Sequence, residues 1–445
     1  MLVLYLFVSI VLIVLLTARV KIHPFIALLL VAILYGVLAG MPLLQIVSSV
    51  NEGFGATLGK IGIIIVLGVI IGAFLEHSGG AYALAEKILT LIGRKRVLPA
   101  MGITGYIVSI PVFADSGFLL IAPLNKSLSK RAGLSLAGTA VALALGLTVT
   151  HTLVPPTPGP VATAGLLSAD LGLVMVLALP VSVLALIPGL LFAAKYASRT
   201  FIPPDPETSE AEIAARLQEA PGVLKSSLPI LVPIVLIISR SVVASFGASP
   251  DDPLPGFISF IGEPVIALLI GMFLALLLPG TLHADTMLST SGWVGKALTG
   301  SASIILITGA GGMFGKVLQD SGIAGLLGTS LSSVRLSIWL PFVLAAAMKT
   351  AQGSSTVAMI TAASIISPMM GTLGFGSEME KALVAISIGA GSMVFSHAND
   401  SFFWVVTQLS GMDVKTGYRL FSAGTCVLGV SAGFVVFLLS VILPS

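Results

Sequence analysis

The chain has 445 residues, 56% of them hydrophobic and only 9% charged, with a net charge of +3. With a mean hydropathy of +1.09 it lies far outside the soluble range, where roughly a quarter of residues are charged, and it reads as a polytopic membrane protein. That composition excludes a separate soluble domain and a basic nucleic-acid surface, and the single cysteine, Cys426, excludes an internal disulfide and argues against a cysteine-ligated metal site.

Apolar runs of the length that crosses a bilayer, about 20 residues, start at the first residue and continue to the end. Met1 to Thr17 carries neither a basic leader nor a small-residue cleavage site and is followed at once by another apolar run, so a retained first helix is expected. Arg19 and Lys21 follow it and nothing basic precedes it, which predicts an external N-terminus and a cytoplasmic first loop. Arg94, Lys95 and Arg96 mark a second cytoplasmic turn, Lys126, Lys130 and Arg131 a third, and Lys195 with Arg199 opens a polar connector. The connector contains Pro203, Pro204, Asp205 and Pro206 and a stretch from Glu207 to Glu219 with the makings of a surface helix. It divides the chain into a first membrane repeat with its leading helices (1–200), a cytoplasmic connector (201–226) and a second membrane repeat (227–445). Asp251 and Asp252, with no lysine nearby, fit the external face.

The halves carry the same kit. Leu75 to Ala81 resembles Leu318 to Ala324, each ending one apolar span and opening another stretch. A polar island then interrupts each half twice. In the first half the islands are Pro111 to Gly117 and Thr150 to Pro160; in the second they are Lys349 to Thr356 and Ser396 to Ser401. Carboxylates, imidazoles, hydroxyls and helix-breaking Gly or Pro are costly at membrane depth unless they face partners or water, so they mark a site. Short apolar arms around a small-residue tip predict re-entrant hairpins, and the Pro- and Gly-rich islands predict unwound helices. Paired hairpins and discontinuous helices belong to secondary transporters. The expected fold is therefore all-α and polytopic, with two inverted repeats, roughly a dozen spans and two hairpins.

The stretches Glu76 to Gly80, Phe113 to Phe118, Thr150 to Thr152 with Pro155 to Pro160, Gln352 to Ala358 and Ser396 to Ser401 together resemble the gluconate permease family of proton symporters, within the ion-transporter superfamily. The resemblance runs end to end. It implies import of gluconate or a related hydroxy or sugar acid with protons across a bacterial inner membrane. Some members resemble carriers of D-serine or other small hydroxy acids. By superfamily analogy it also implies a homodimer, with a scaffold part and a transport part holding two hairpins and two broken helices.

A sugar acid needs donors for its carboxylate and mixed groups for its hydroxyls. Ser116, Thr150, Thr157, Gln352, Ser354, Ser355, Thr356, Ser396 and Asn399 are candidates for the second task, and backbone amides at Gly117, Gly159 and Gly353 for the first. An isolated serine in a membrane helix more often serves close packing; clusters repeated in both halves point to function. For proton coupling the candidates are Asp115, His151, His397 and Asp400. Imidazole titrates near ~6.5 when unperturbed, whereas a carboxyl group needs desolvation to work in that range. The competing readings are a histidine that caps backbone freed by a helix break, and an aspartate in an ion pair or at a helix N-cap. Lys349 is expected to extend to the headgroups, as lysines near span ends do; its alternatives are the substrate carboxylate or one of the aspartates. Glu76, His77 and Asp320, at span ends, fit interfacial or gating roles. No cofactor or bound metal is expected. Sodium remains an alternative to protons, since broken helices also offer oxygens to a hard cation. The sequence carries no His-Glu-x-x-His motif for an enzyme, and occluding broken helices suit a carrier better than a channel.

Overall fold

The computed structural model describes residues 2–93, 96–205, 218–246, 251–323 and 338–443, and all regular structure among them is helical. The first half comprises α1 (Leu2–Val14), α2 (Pro24–Leu38), α3 (Leu43–His77), α4 (Gly80–Ile92), α5 (Val97–Val108), α6 (Ala114–Arg131), α7 (Leu136–Leu153), α8 (Pro158–Leu167) and α9 (Leu171–Lys195). The second comprises α10 (Val223–Ser245), α11 (Pro253–Ile261), α12 (Pro264–Leu276), α13 (Trp293–Asp320), α14 (Trp339–Gln352), α15 (Ser355–Ile366), α16 (Glu378–Ser392), α17 (Ser401–Leu409), α18 (Val414–Gly417) and α19 (Ala423–Ile442). Arg94, Lys95 and residues 206–217, which include most of the expected surface helix, lie outside the described residues.

The resemblance between Leu75 and Leu318 onward corresponds to a shared helix stop. α3 and α13 both end on a serine C-cap, Ser78 and Ser321, followed by a glycine of positive φ, Gly79 at 79° and Gly322 at 76°. Only glycine enters that conformation without a Cβ penalty, which is why it closes helices. Beyond each stop come two interrupted elements and a closing helix: α5–α6, α7–α8 and α9 in the first half, α14–α15, α16–α17 and α19 in the second. The halves interlock across the interruptions, with α8 packing on α15 and α6 on α17.

Each interruption has a local cause. α7 stops before Pro155 and Pro156, which lack amide hydrogens, and Pro158 restarts the chain at the first position of α8. α14 stops at Gly353, whose φ is +85°. Past the end of α16, Phe395 takes a φ of 57°, a left-handed conformation that costs a residue with a Cβ about 1–2 kcal/mol and collects at functional sites.

Among the described residues, six helices are long and apolar enough to cross a membrane, or seven if the bent pair α11–α12 counts as one span. The count falls below the dozen expected because apolar helices such as α2, α5 and α15 have only 15, 12 and 12 residues, short of the about 20 needed to cross alone.

Helices approach closely where glycines face each other. A Cβ on Gly53 of α3 would run into the Gly312 carbonyl of α13, and one on Gly105 of α5 into the backbone of α7 beside Gly146. This is the small-residue packing that drives helix association in lipid, where apolar surface gives no advantage. Further along α3, Gly68 and Gly72 lie against the carbonyl groups of Pro156 and Pro111, so both interruptions of the first half rest on one helix. Gly53→Val should therefore destabilise the protein by about 1–3 kcal/mol through overpacking, whereas Gly59→Ala, on the same helix facing open space, should leave the thermal unfolding midpoint in detergent unchanged or slightly raised.

Candidate functional site

The interruptions converge on a cavity of about 400 Å³. Its wall is built from the start of α6 (Phe113, Ala114, Asp115), from Thr148, His151 and Thr152 of α7, from the α14–α15 junction (Lys349 and Gln352 to Val357), and from Asn399 to Phe402 at the start of α17. Ser303, Ile304 and Ile307 of α13 form a further face. Three helix N-termini, those of α6, α15 and α17, thus meet at one space. Their amides carry partial positive charge and no intrahelical partner, the arrangement that receives an anion. Two are capped by side chains: Ser354 accepts from the Val357 amide at 3.3 Å and Asp400 from the Phe402 amide at 3.0 Å. The N-cap of α6 is Phe113, which offers no such acceptor.

The second-half junction is tied together around Lys349. This lysine does not extend to the headgroups: it is 2% exposed, and its ammonium donates to Asp400 Oδ2 at 2.6 Å and to the Gly353 carbonyl at 2.5 Å. Ser396 donates to the same Asp400 oxygen. The reason for the departure is the helix stop at Gly353, which turns a free carbonyl back towards a side chain one turn earlier while Asp400 arrives from α17. Paired and hydrogen-bonded, the ammonium meets the condition for burial that an unpaired charge could not. Gly353 is demanded twice, by its φ and by Asn399, whose backbone a Cβ would strike. Asn399 and His397 cap the end of α14: Asn399 Nδ2 donates to the Thr350 and Ala351 carbonyls at 2.9 and 3.2 Å, and His397 Nε2 lies 2.7 Å from the Thr350 carbonyl. For His397 this is the backbone-capping alternative, and for Asp400 both the ion pair and the N-cap.

The first-half contribution is different. Asp115 accepts a 3.4 Å hydrogen bond from Ser401 at Oδ2, while its Oδ1 is buried without a partner. His151 packs against Phe113 with ring centroids 5.9 Å apart, and its Nδ1 is likewise buried and unpaired. Gln352 has neither amide atom paired. Buried polar atoms are almost always hydrogen-bonded in folded proteins, so three such side chains on one cavity wall mark it out from the rest of the interior.

Of the residues singled out in the sequence, Asp115, His151, Lys349, Gln352, Gly353, Ser354, Ser355, Thr356, Ser396, Asn399 and Asp400 line this cavity. His397 does not. Thr150 and Thr157 are buried and bonded to the backbone, Thr150 to the Gly146 carbonyl and Thr157 to that of Val154. Gly117 packs against Leu147, and Ser116 lines a different cavity. Thr148 and Ser303 reach the wall without having been marked. Thr148 was legible as the residue one helical turn before His151, whereas Ser303 sits in an ordinary apolar helix and no local signal singles it out.

The sequence profile described as GntP family permease matches residues 1–442. The chain belongs to that family. It is 34% identical to the gluconate permease of Pseudomonas aeruginosa, over 98% of this chain and 97% of the relative, and 34% identical to the D-serine transporter DsdX of Escherichia coli, over 98% of each. In fold it is similar to the YdaH transporter of Alcanivorax borkumensis, with a TM-score of 0.67 at 14% identity, covering 94% of this chain and 98% of the other. This GntP permease is therefore an integral membrane protein of a permease family. Removing one partner of its buried pair should be costly: Lys349→Met is expected to destabilise it by about 3–5 kcal/mol by stranding Asp400. The double variant Lys349→Met/Asp400→Asn should recover a large part of the lost thermal stability in detergent.

Proposed function

We propose that this permease imports a small hydroxy or sugar acid, gluconate or a near relative, in symport with protons across a bacterial inner membrane, its N-terminus facing outward. The observation that carries the reading is the set of unpaired atoms on Asp115, His151 and Gln352, facing a cavity where three helix N-termini converge. The N-termini suit the carboxylate of the substrate, and Ser354, Ser355, Thr356, Gln352 and Asn399 suit its hydroxyl groups.

Charge balance supplies the coupling. Lys349 and Asp400 neutralise each other, which leaves Asp115 as the remaining wall carboxylate. A substrate anion beside an ionised Asp115 would meet strong repulsion in a low-dielectric site. The pair is tolerated once the Asp115 carboxyl carries a proton, so anion and proton bind together, and His151 stands on the same wall to exchange that proton. A second reading rests on the same atom. An ionised Asp115 Oδ1 would accept an ammonium group, as D-serine carries, in which case Asp115 binds substrate and does not couple.

Uptake of labelled gluconate into proteoliposomes with an inward proton gradient and no sodium tests this. Accumulation above equilibrium that collapses with a protonophore is the expected result; no uptake of gluconate, with uptake of D-serine, would favour the second reading. Asp115→Asn, a neutral mimic of the protonated acid, should lose accumulation while retaining exchange of internal for external gluconate. Normal accumulation by this variant would sink the coupling role. Gln352→Ala should raise the half-saturation concentration about tenfold, the loss of one buried hydrogen-bonding pair.

A further inference from the structure

A second cavity, of about 190 Å³, lies beside the first between α3, α6 and α13. It is walled by Glu76 and His77 at the end of α3, Ser116 of α6, and Lys296, Ala297 and Gly300 of α13. The two cavities are neighbours on one track. Lys296, Ala297 and Gly300 line the second and Ser303, Ile304 and Ile307 the first, and their three- and four-residue spacing puts all six on one stripe of α13. At 1.5 Å per residue the stripe runs about 16 Å. On the opposite wall, consecutive residues of α6 split between the cavities, Asp115 lining the first and Ser116 the second. Phe113, at the tip preceding α6, lines both. Its ring leans on His151 on the side of the first cavity. At the other end Lys296 and His77 are exposed, and His77 stacks on Trp293 at 5.2 Å.

We propose that the second cavity is a vestibule through which the organic anion passes between the first cavity and one membrane face. Phe113 closes the inner end of the passage, and Lys296 forms a transient anion site at its mouth. Along the α13 stripe the order suits an anion, with Lys296 at the mouth, Ala297, Gly300 and Ser303 between, and the helix N-termini within; the Glu76 carboxylate of α3 shares this wall and interacts with the Ser116 side chain. The closing residue belongs to the first-half tip, whose Pro111 carbonyl rests on Gly72 of α3, so a small displacement of that tip relative to α3 would open the passage. The proposal rests on the transport reading for the identity of its cargo, but the route itself can be tested without substrate.

The test uses the full-length chain with Cys426→Ser and single new cysteines, in right-side-out and inverted membrane vesicles, treated with an impermeant anionic methanethiosulfonate. Ala297→Cys is expected to react from one face only, and its modification should abolish gluconate uptake. Adding Phe113→Ala should raise the reaction rate of Ile307→Cys from that same face about tenfold or more, with Phe113→Leu giving a smaller rise should the alanine variant fold poorly. Equal reaction of Ala297→Cys from both faces, uptake that survives its modification, or an Ile307→Cys rate indifferent to both substitutions would overturn the route. Lys296→Gln should raise the half-saturation concentration without ending uptake, and an unchanged value would remove the anion site from the proposal. If the Cys426→Ser protein takes up no gluconate at all, the substrate reading fails, while the labelling rates still decide the passage.

Discussion

An ammonium and a carboxylate 2.6 Å apart, both buried, hold the interrupted elements of the second half in register. Interrupting a helix within a membrane frees backbone groups that lipid cannot satisfy, and here the repair is made by side chains from the same interruption and from the facing one. Lys349 takes up the Gly353 carbonyl, Asn399 and His397 take up the end of α14, and Asp400 takes up both the ammonium and the Phe402 amide in the first turn of α17. The two interruptions are thus joined by the Lys349–Asp400 pair and by the bonds of His397 and Asn399 to the end of α14. A buried ion pair is weak as a source of stability, since desolvation offsets attraction, but breaking it by removing one partner strands a buried charge, which penalises arrangements that separate the two. That role matches a site where two helix starts must point into one cavity.

The first half solves the same problem differently. Its breaks are made by proline and supported by glycines of α3, which leaves Asp115 and His151 free of structural duties. The asymmetry divides the labour of the two repeats. One half spends its charged groups on architecture and offers hydroxyls and an amide to the cavity; the other offers titratable groups with unused valence. The glycine contacts of α3 with Gly312 then fix the distance between the long helices on which both rest.

Much of the site was legible because membrane burial makes polar residues conspicuous. Clusters such as Gln352 to Thr356 and Ser396 to Ser401 stand out against apolar surroundings, and eleven of the seventeen residues so marked line the one cavity. The failures have a common physical origin. Thr150 and Thr157 were marked by type, yet a threonine hydroxyl in or beside a helix can bond a carbonyl one turn back, as both do. Ser116 and Gly117 follow Asp115 on α6, and helical rotation of about 100° per residue turns neighbours to different faces. Lys349 was read from its position near a span end, which says nothing about a carboxylate 51 residues away.

The sequence by itself determined the membrane setting, the helical class, the repeated order of elements and the places where helices must stop, because each follows from local composition: apolar length, proline, glycine and the cost of buried polarity. Tertiary structure alone decided which polar side chains are consumed in holding the breaks and which keep unpaired atoms at the cavity wall. That outcome depends on partners distant in the chain, α6 with α17 and α8 with α15, and on which face of each helix they meet. A charge whose counter-charge reaches it is held in the architecture, one that none reaches keeps its bonding capacity open, and only the packed fold sets that distance.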